Sequence, residues 1–198
     1  EQHVNSLISE DHAKLDDEEL IKELYKVNDR RIWAIAEALR RGMSYELLFD
    51  ITRIDIWFIS KIDNIVKLEA RLKEESLSEE LLREAKRMEF PDELIASLNS
   101  KTKEEVKKLR HDYGIRAAYK MVDTCAAEFS AQTAYYYSCF DGYNEVETES
   151  DKKKILVLGS GPIRIGQGIE FDFCSVHCTW ALKKEGFETI IVNNNPET

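Results

Sequence analysis

The run Gly159-Ser160-Gly161-Pro162-Ile163-Arg164-Ile165-Gly166-Gln167-Gly168 is the part of the sequence best suited to chemistry. Glycines at this density let backbone amides approach a ligand or a neighbouring segment closely, as phosphate-binding loops do. The apolar stretch Ile155-Leu156-Val157-Leu158 precedes the run, Phe171 to Glu185 reads as a helix stopped by Gly186, and Thr189-Ile190-Ile191-Val192 reads as a second strand. Strand, turn, helix and strand in this order are the first βαβ unit of a doubly wound domain, with both strands expected to be buried on both faces. The details fit neither common nucleotide fingerprint. A GxGxxG motif begun at Gly159 needs glycine where Arg164 stands, and Asn193-Asn194-Asn195 replaces the acidic residue that would hold a ribose. Gly161 and Gly166 have P-loop spacing, but Gln167-Gly168 stands where Lys-Ser/Thr is required. Tight packing of a βα turn remains the alternative to ligand binding.

Two other groups of reactive side chains stand out. Cys174, His177 and Cys178 fall at i, i+3 and i+4 on the expected helix, a spacing that gathers three metal ligands, yet no fourth ligand is evident. Packing of the helix on its sheet is the better account, and no metal site is expected. Asp123-Thr124-Cys125 has no histidine nearby to activate a thiol, so capping by Asp123 or Thr124 beside a buried Cys125 is expected instead. Lysines and arginines at 101, 103, 107, 108 and 110 could mimic a nucleic-acid-binding helix, but Glu104 and Glu105 interrupt them, as on a solvated face.

Upstream of the glycine run the sequence is punctuated as short helices. Asp29 precedes Arg30 to Arg41, where Ile32, Ile35, Ala36 and Leu39 share a face before Gly42; Ser44 can cap a helix through Leu48. Thr52 and Asp55 have capping-box spacing and would open a longer helix whose buried side includes Ile54, Trp57, Phe58, Ile62, Ile65 and Val66. Ser78, Pro91 and Thr102 with Glu105 start three more helices, and Gly114 ends the series. No heptad pattern persists, so a compact all-α unit is expected rather than a coiled coil. Residues 115–144 are rich in Tyr, Phe, Ala and Cys with no single apolar face, which suits either a strap against a neighbouring domain or the closing element of the helical core.

Composition divides the chain at the same place. Its 198 residues carry a net charge of −10. Residues 1–150 hold 22 Lys and Arg against 32 Asp and Glu, while residues 151–198 hold six of each and five of the eight glycines. A domain boundary near residue 150 follows. An acidic chain lacking a long basic block is a poor nucleic-acid or anionic-lipid binder. No run approaches the ~18 apolar residues of a membrane span, and the N-terminal residues lack the pattern of a signal peptide. Four cysteines without CxxC are expected to be free thiols in a reducing compartment, the cytoplasm. A start at Glu1 and an end directly after an expected strand suit a piece of something longer.

The run ILVLGSGPIRIGQGIEFDFCSVHCTWALKKEGFETIIVNNNPET resembles the opening of the second synthetase half of the carbamoyl-phosphate synthase large-chain family. YKMVDTCAAEFSAQTAYYYS resembles the segment preceding it, and DRRIWAIAEALRRGMS and ITRIDIWFISKI resemble the family's helical oligomerisation domain. The resemblance implies a mainly α fold, with a truncated α/β, Rossmann-like pre-ATP-grasp βαβ unit appended. It divides the chain into a linker from the preceding half (1–15), the oligomerisation domain (16–114), an aromatic connecting segment (115–150) and the βαβ unit (151–198). In the family, the whole enzyme is an ATP-dependent carbon–nitrogen ligase serving arginine or pyrimidine synthesis. Two ATP-grasp halves phosphorylate bicarbonate and then carbamate, using ATP, Mg or Mn, and K. A glutaminase small chain supplies ammonia, and a tunnel carries the intermediate between the halves. The ATP-grasp modules fall outside this sequence, so no catalytic, cofactor-binding or metal residue is expected within it. The resemblance further implies a tunnel-lining role for Arg164, Gly168 and Glu170, with Gly159, Gly161 and Gly166 as structural glycines. Against that stand a plain Arg164–Glu170 pair, or acidic residues offsetting a helix dipole. A stand-alone helical self-association module with a nucleotide-binding-like appendage is the rival reading, in which Trp33 and Trp57 would serve an interface as well as a core.

Overall fold

The computed structural model describes residues 6–130, 135–146, 151–159 and 170–192, the side chains of 170–172 excepted. It separates into two compact units, 1–146 and 147–198.

The first unit is helical, with α1 (Glu10–Ala13), α2 (Asp17–Tyr25), α3 (Arg31–Arg40), α4 (Tyr45–Thr52), α5 (Ile56–Glu74), α6 (Glu79–Arg87), α7 (Asp92–Leu98) and α8 (Lys103–Asp112). Local chemistry starts most of them. Asp16 and Glu19 form a reciprocal capping box on α2, Thr102 and Glu105 form another on α8, and Ser44 and Ser78 cap α4 and α6. Gly42 adopts φ +79°, and the amides of Gly42 and Met43 bond back to Leu39 and Ala38, which closes α3.

Three sequence expectations are corrected here. The N-cap of α3 is Arg30 rather than Asp29 and makes no side-chain cap bond; Asn28 Oδ1 accepts from the Arg30 amide at 3.0 Å. Ile32, expected on the inner face of α3, is exposed. The capping box at Thr52 does not form, because Thr52 is the last residue of α4 and its hydroxyl donates to the Leu48 carbonyl at 2.6 Å. Arg53 then turns through the left-handed region, and Asp55 caps α5 by accepting from the Trp57 amide at 2.8 Å. This start places Trp57 and Phe58 in the first turn, outside the packed stripe, where they are 58% and 57% exposed. The other expected residues do face the core, Val66 buried and Ile54, Ile62 and Ile65 packed against it, and Ile59, Asp63, Leu68, Glu69 and Leu72 complete the buried side of α5.

Two apolar clusters make up the core. One joins Leu20 and Leu24 of α2, Ile35 and Leu39 of α3, Leu48 of α4, and Ile59 and Val66 of α5. The other joins Leu68 and Leu72 of α5, Leu81 and Leu82 of α6, Ile95 of α7, Val106 of α8, and Ile115. At ~1.5 Å per residue, the 19-residue α5 is long enough to serve both. Glu69, 2% exposed, is buried on α5, where Arg40 donates to its Oε2 from Nε (3.2 Å) and Nη2 (2.7 Å). The same Nη2 donates to the Leu7 carbonyl at 3.0 Å, and Trp33 Nε1 donates to the Ser6 carbonyl at 3.0 Å, which docks the N-terminal residues on α3.

Residues 115–146 continue this unit. β1 (Ala118–Met121) pairs antiparallel with β2 (Tyr136–Cys139), Ala118 opposite Cys139. Ile115 and Ala118 are buried and Phe140 packs on the second cluster, while Tyr119, Phe129, Tyr135, Tyr136, Tyr137 and Tyr143 are exposed. Of the two sequence readings, the closing element of the helical core holds in part, through Ile115, Ala118 and Phe140, while the tyrosines are exposed.

The second unit is β3 (Lys154–Leu158), α9 (Glu170–Lys184) and β4 (Glu188–Val192), with the strands parallel and Ile155 beside Thr189. Expected burial on both faces is corrected: Leu156, Leu158, Ile190 and Val192 are exposed, Leu158 at 75%. These four share a face by register, while on the opposite face Ile155, Val157 and Thr189 are half-buried beside α9 and Ile191 stays exposed.

Candidate functional site

The glycine loop leaves β3 at the carboxyl ends of the two strands, the edge where open α/β sheets bind ligands. Gly159, the last residue described before it, donates its amide to the Val192 carbonyl at 2.8 Å, so the strand ends are zipped together up to the loop. Gly161, Arg164, Gly166 and Gly168 lie outside the described residues. Glu170 is the first residue of α9, the position where an acidic residue complements the helix dipole, and its side chain lies outside the description.

The reactive side chains on α9 are placed differently from expectation. Cys174, His177 and Cys178 are exposed rather than packed on the sheet, because the inward face of the helix is Ser175, Val176, Thr179 and Leu182. The His177 ring contacts those of Phe173 and Trp180 at tilted angles, with centroids 4.0 and 5.0 Å away. Among the described residues no group of three or more His, Cys, Asp or Glu side chains is arranged to hold a metal. Asp123 caps its turn as expected, its Oδ1 accepting from the Cys125 amide at 2.9 Å and its Oδ2 from Ala127 at 2.7 Å. Cys125 itself is half-buried, not buried.

On the helical unit, the start of α5 carries the exposed aromatic pair Trp57 and Phe58, edge to face with centroids 4.9 Å apart. Lys61 lies 5.1 Å from the Trp57 ring and Arg53 5.8 Å from that of Phe49 on α4. Trp33, by contrast, is committed to the N-terminal residues through its indole N–H. Two basic residues of α8 are engaged with carboxylates, Lys103 with Glu93 and Arg110 with Asp92, while Lys107 and Lys108 lie on its exposed face.

One cluster had no sequence signal. Lys86, Asp92 and Arg110 form a mostly buried triad beneath the ring of Phe140. Burial pushes the Asp92 carboxyl up, but the hydrogen bond and charge of Lys86, followed by those of Arg110, outweigh it and hold the group below the usual aspartate range. On α4, Tyr45 donates to the buried Asp63, and this bond, with burial, raises the phenol above its ordinary value. Only the packing of separate helices brings such groups together.

Residues 1–114 match the family model described as the carbamoyl-phosphate synthetase large chain, oligomerisation domain, and residues 151–198 match that of the carbamoyl phosphate synthase preATP-grasp domain. The chain belongs to the carbamoyl-phosphate synthase large-chain family. It is 63% identical over 198 residues to the carbamoyl phosphate synthase large chain of Agathobacter rectalis, covering all of this chain and 18% of that protein. It is 62% identical over 199 residues to that of Lachnoclostridium phytofermentans, covering 100% and 19%. Against the large chain of Methanosarcina barkeri it is 54% identical over 183 residues, covering 92% and 17%. The chain thus spans less than a fifth of the length of these relatives. In family terms residues 1–114 of the helical unit are the oligomerisation domain, and the glycine loop belongs to the start of the preATP-grasp domain.

Proposed function

We propose that this chain is the part of a carbamoyl phosphate synthase large chain that joins its two synthetase halves and carries its self-association, with no catalytic centre of its own. The observation that carries this reading is the succession of an oligomerisation-domain match and a preATP-grasp match along one chain whose units divide between residues 146 and 147. The enzyme as a whole would condense bicarbonate, ammonia and the phosphoryl groups of two ATP into carbamoyl phosphate in the cytoplasm, for arginine or pyrimidine synthesis. Ammonia would come from glutamine through a small chain. ATP, Mg or Mn, and K would be held by ATP-grasp modules outside this sequence, leaving the 198-residue chain without turnover and without micromolar ATP affinity. Calorimetric titration with Mg-ATP checks this, and a saturating heat at micromolar concentration would refute it.

Self-association is checked by sedimentation velocity over a range of concentrations, where dimers or larger species are expected. Arg164, Gly168 and Glu170 are assigned to the wall of the passage by which carbamate enters the second half. Glycine leaves room there, and an arginine with a carboxylate can hydrogen-bond a small planar anion. In the full-length enzyme Gly168→Phe is expected to suppress carbamoyl phosphate formation while both partial ATPase reactions persist. Normal synthesis with both ATPase reactions intact would remove the assignment.

A further inference from the structure

We propose that Phe140 is a positioning residue, whose ring latches the aromatic segment, and with it the exit of the helical unit, onto a buried charge cluster of α6, α7 and α8. The cluster is unbalanced. Lys86, 5% exposed, donates from Nζ to Asp92 Oδ1 and to the Phe90 carbonyl, both at 2.8 Å. Arg110 donates from Nε to Asp92 Oδ2 at 3.2 Å and from Nη1 to the Ile115 carbonyl at 3.3 Å. Two cations thus share one carboxylate, and all three side chains are mostly withdrawn from water. The remaining positive charge faces the Phe140 ring, whose centroid lies 4.5 Å from Lys86 Nζ and 5.7 Å from Arg110 Cζ. The negative face of an aromatic ring stabilises a cation, the more so where water is excluded.

The place of Phe140 in the chain makes this contact a latch. It follows β2 directly, whereas the segment's other residue in the same core, Ile115, adjoins α8 and is held near it by the chain itself. Beyond α8 the segment is largely bonded to itself. β1 pairs with β2 on one edge; on the other, the Tyr119 amide donates to Asn144 Oδ1 at 3.0 Å and the Met121 amide to Glu145 Oε2 at 2.7 Å. The neighbouring Arg87–Asp141 pair is mostly exposed and holds weakly. Phe140 therefore fixes the far end of a self-contained hairpin to the helices, and so fixes where the chain leaves them.

The test is amide hydrogen exchange on the 198-residue chain. Phe140→Leu keeps apolar bulk without the ring face, and Phe140→Tyr keeps the face. Lys86→Met removes one cation and leaves Asp92 with Arg110. With Phe140→Leu and with Lys86→Met, exchange in β1 and β2 is expected to rise about tenfold while α6 to α8 change by less than about twofold; Phe140→Tyr should exchange as the parent does. Unchanged strand protection in Phe140→Leu, equal loss throughout α6 to α8, or release by Phe140→Leu but not by Lys86→Met would each overturn the latch. Its consequence for joining two halves rests on the function proposed above, and the full large chain tests that separately. There Phe140→Leu should lower carbamoyl phosphate formed per ATP hydrolysed. Strand release without any change in that ratio would leave the latch standing and overturn the joining role.

Discussion

Asp92 sits where two cations converge, and its chemistry fixes how the helical unit responds to acid. Its carboxyl is held below the ordinary aspartate value in the folded state. Its stabilising contribution is therefore complete above the unfolded value, near 3.8, and is lost as pH falls through the lower folded value. Urea unfolding between pH 6 and about 2.5 should show a steepening loss of stability below that point, reduced in Asp92→Asn. Backbone conformation offers a second residue-level prediction. Glu89, exposed at the end of α6, has φ +61°, where a side chain costs about 1–2 kcal/mol, while Gly42 occupies a comparable position with open space around it. Glu89→Gly should raise stability by about 0.5–1 kcal/mol after the glycine entropy cost, and Gly42→Ala should lower it by about 1 kcal/mol, both readable in thermal melts. Caps such as Thr102 with Glu105 were legible in the sequence because donor and acceptor lie three residues apart. The Lys86–Asp92–Arg110 triad was not, because nothing within a single helix announces a partner on another.

Among the elements, α5 carries the most, since each of its halves packs in a different apolar cluster. Leu72 is fully buried, and Leu72→Ala should cost about 2–5 kcal/mol by chemical denaturation. Because the two clusters share this helix, the loss should appear as a shift of one cooperative transition rather than as separate melting of α6 to α8. Periodicity located α5 and the packing of Ile62, Ile65 and Val66, but misjudged its first turn. Reading the start at Thr52 put Trp57 and Phe58 inside, whereas the Thr52 hydroxyl is turned back on Leu48 and the helix starts at Asp55. A capping box and a helix-ending threonine share residue types, so only the competing hydrogen bond tells them apart.

For the whole molecule, the change in charge and glycine near residue 150 was visible in composition, and the division into two units falls close to it. The strands of the second unit were also legible, but their burial was not. Leu156, Leu158, Ile190 and Val192 have the character of a fully buried parallel sheet, yet the single described helix of that unit covers one side. Exposed apolar faces of this kind bind hydrophobic dyes. Leu156→Thr with Ile190→Thr should lower anilinonaphthalene sulfonate fluorescence while leaving the unfolding of the helical unit unchanged. A dye signal unaltered by the pair would assign the binding to the exposed aromatics of the first unit instead. The glycine loop was recognisable as a motif, and Gly159 and Glu170 mark its two ends at the edge of the sheet and the start of α9.

The sharing of α5 also sets a rule of phase. Val66 points into one cluster and Leu68 into the other, with the changeover at Lys67. One residue inserted there would turn everything after it by about 100° and advance it by about 1.5 Å, swinging Leu68 and Leu72 out of register with α6 to α8 while Ile59 and Val66 stayed seated. Seven residues would restore the angle to within about 20° but separate the clusters by about 10 Å. The length of this helix is thus a fixed gear ratio between the two halves of the unit, and sequence drift can change its exposed teeth but not their number.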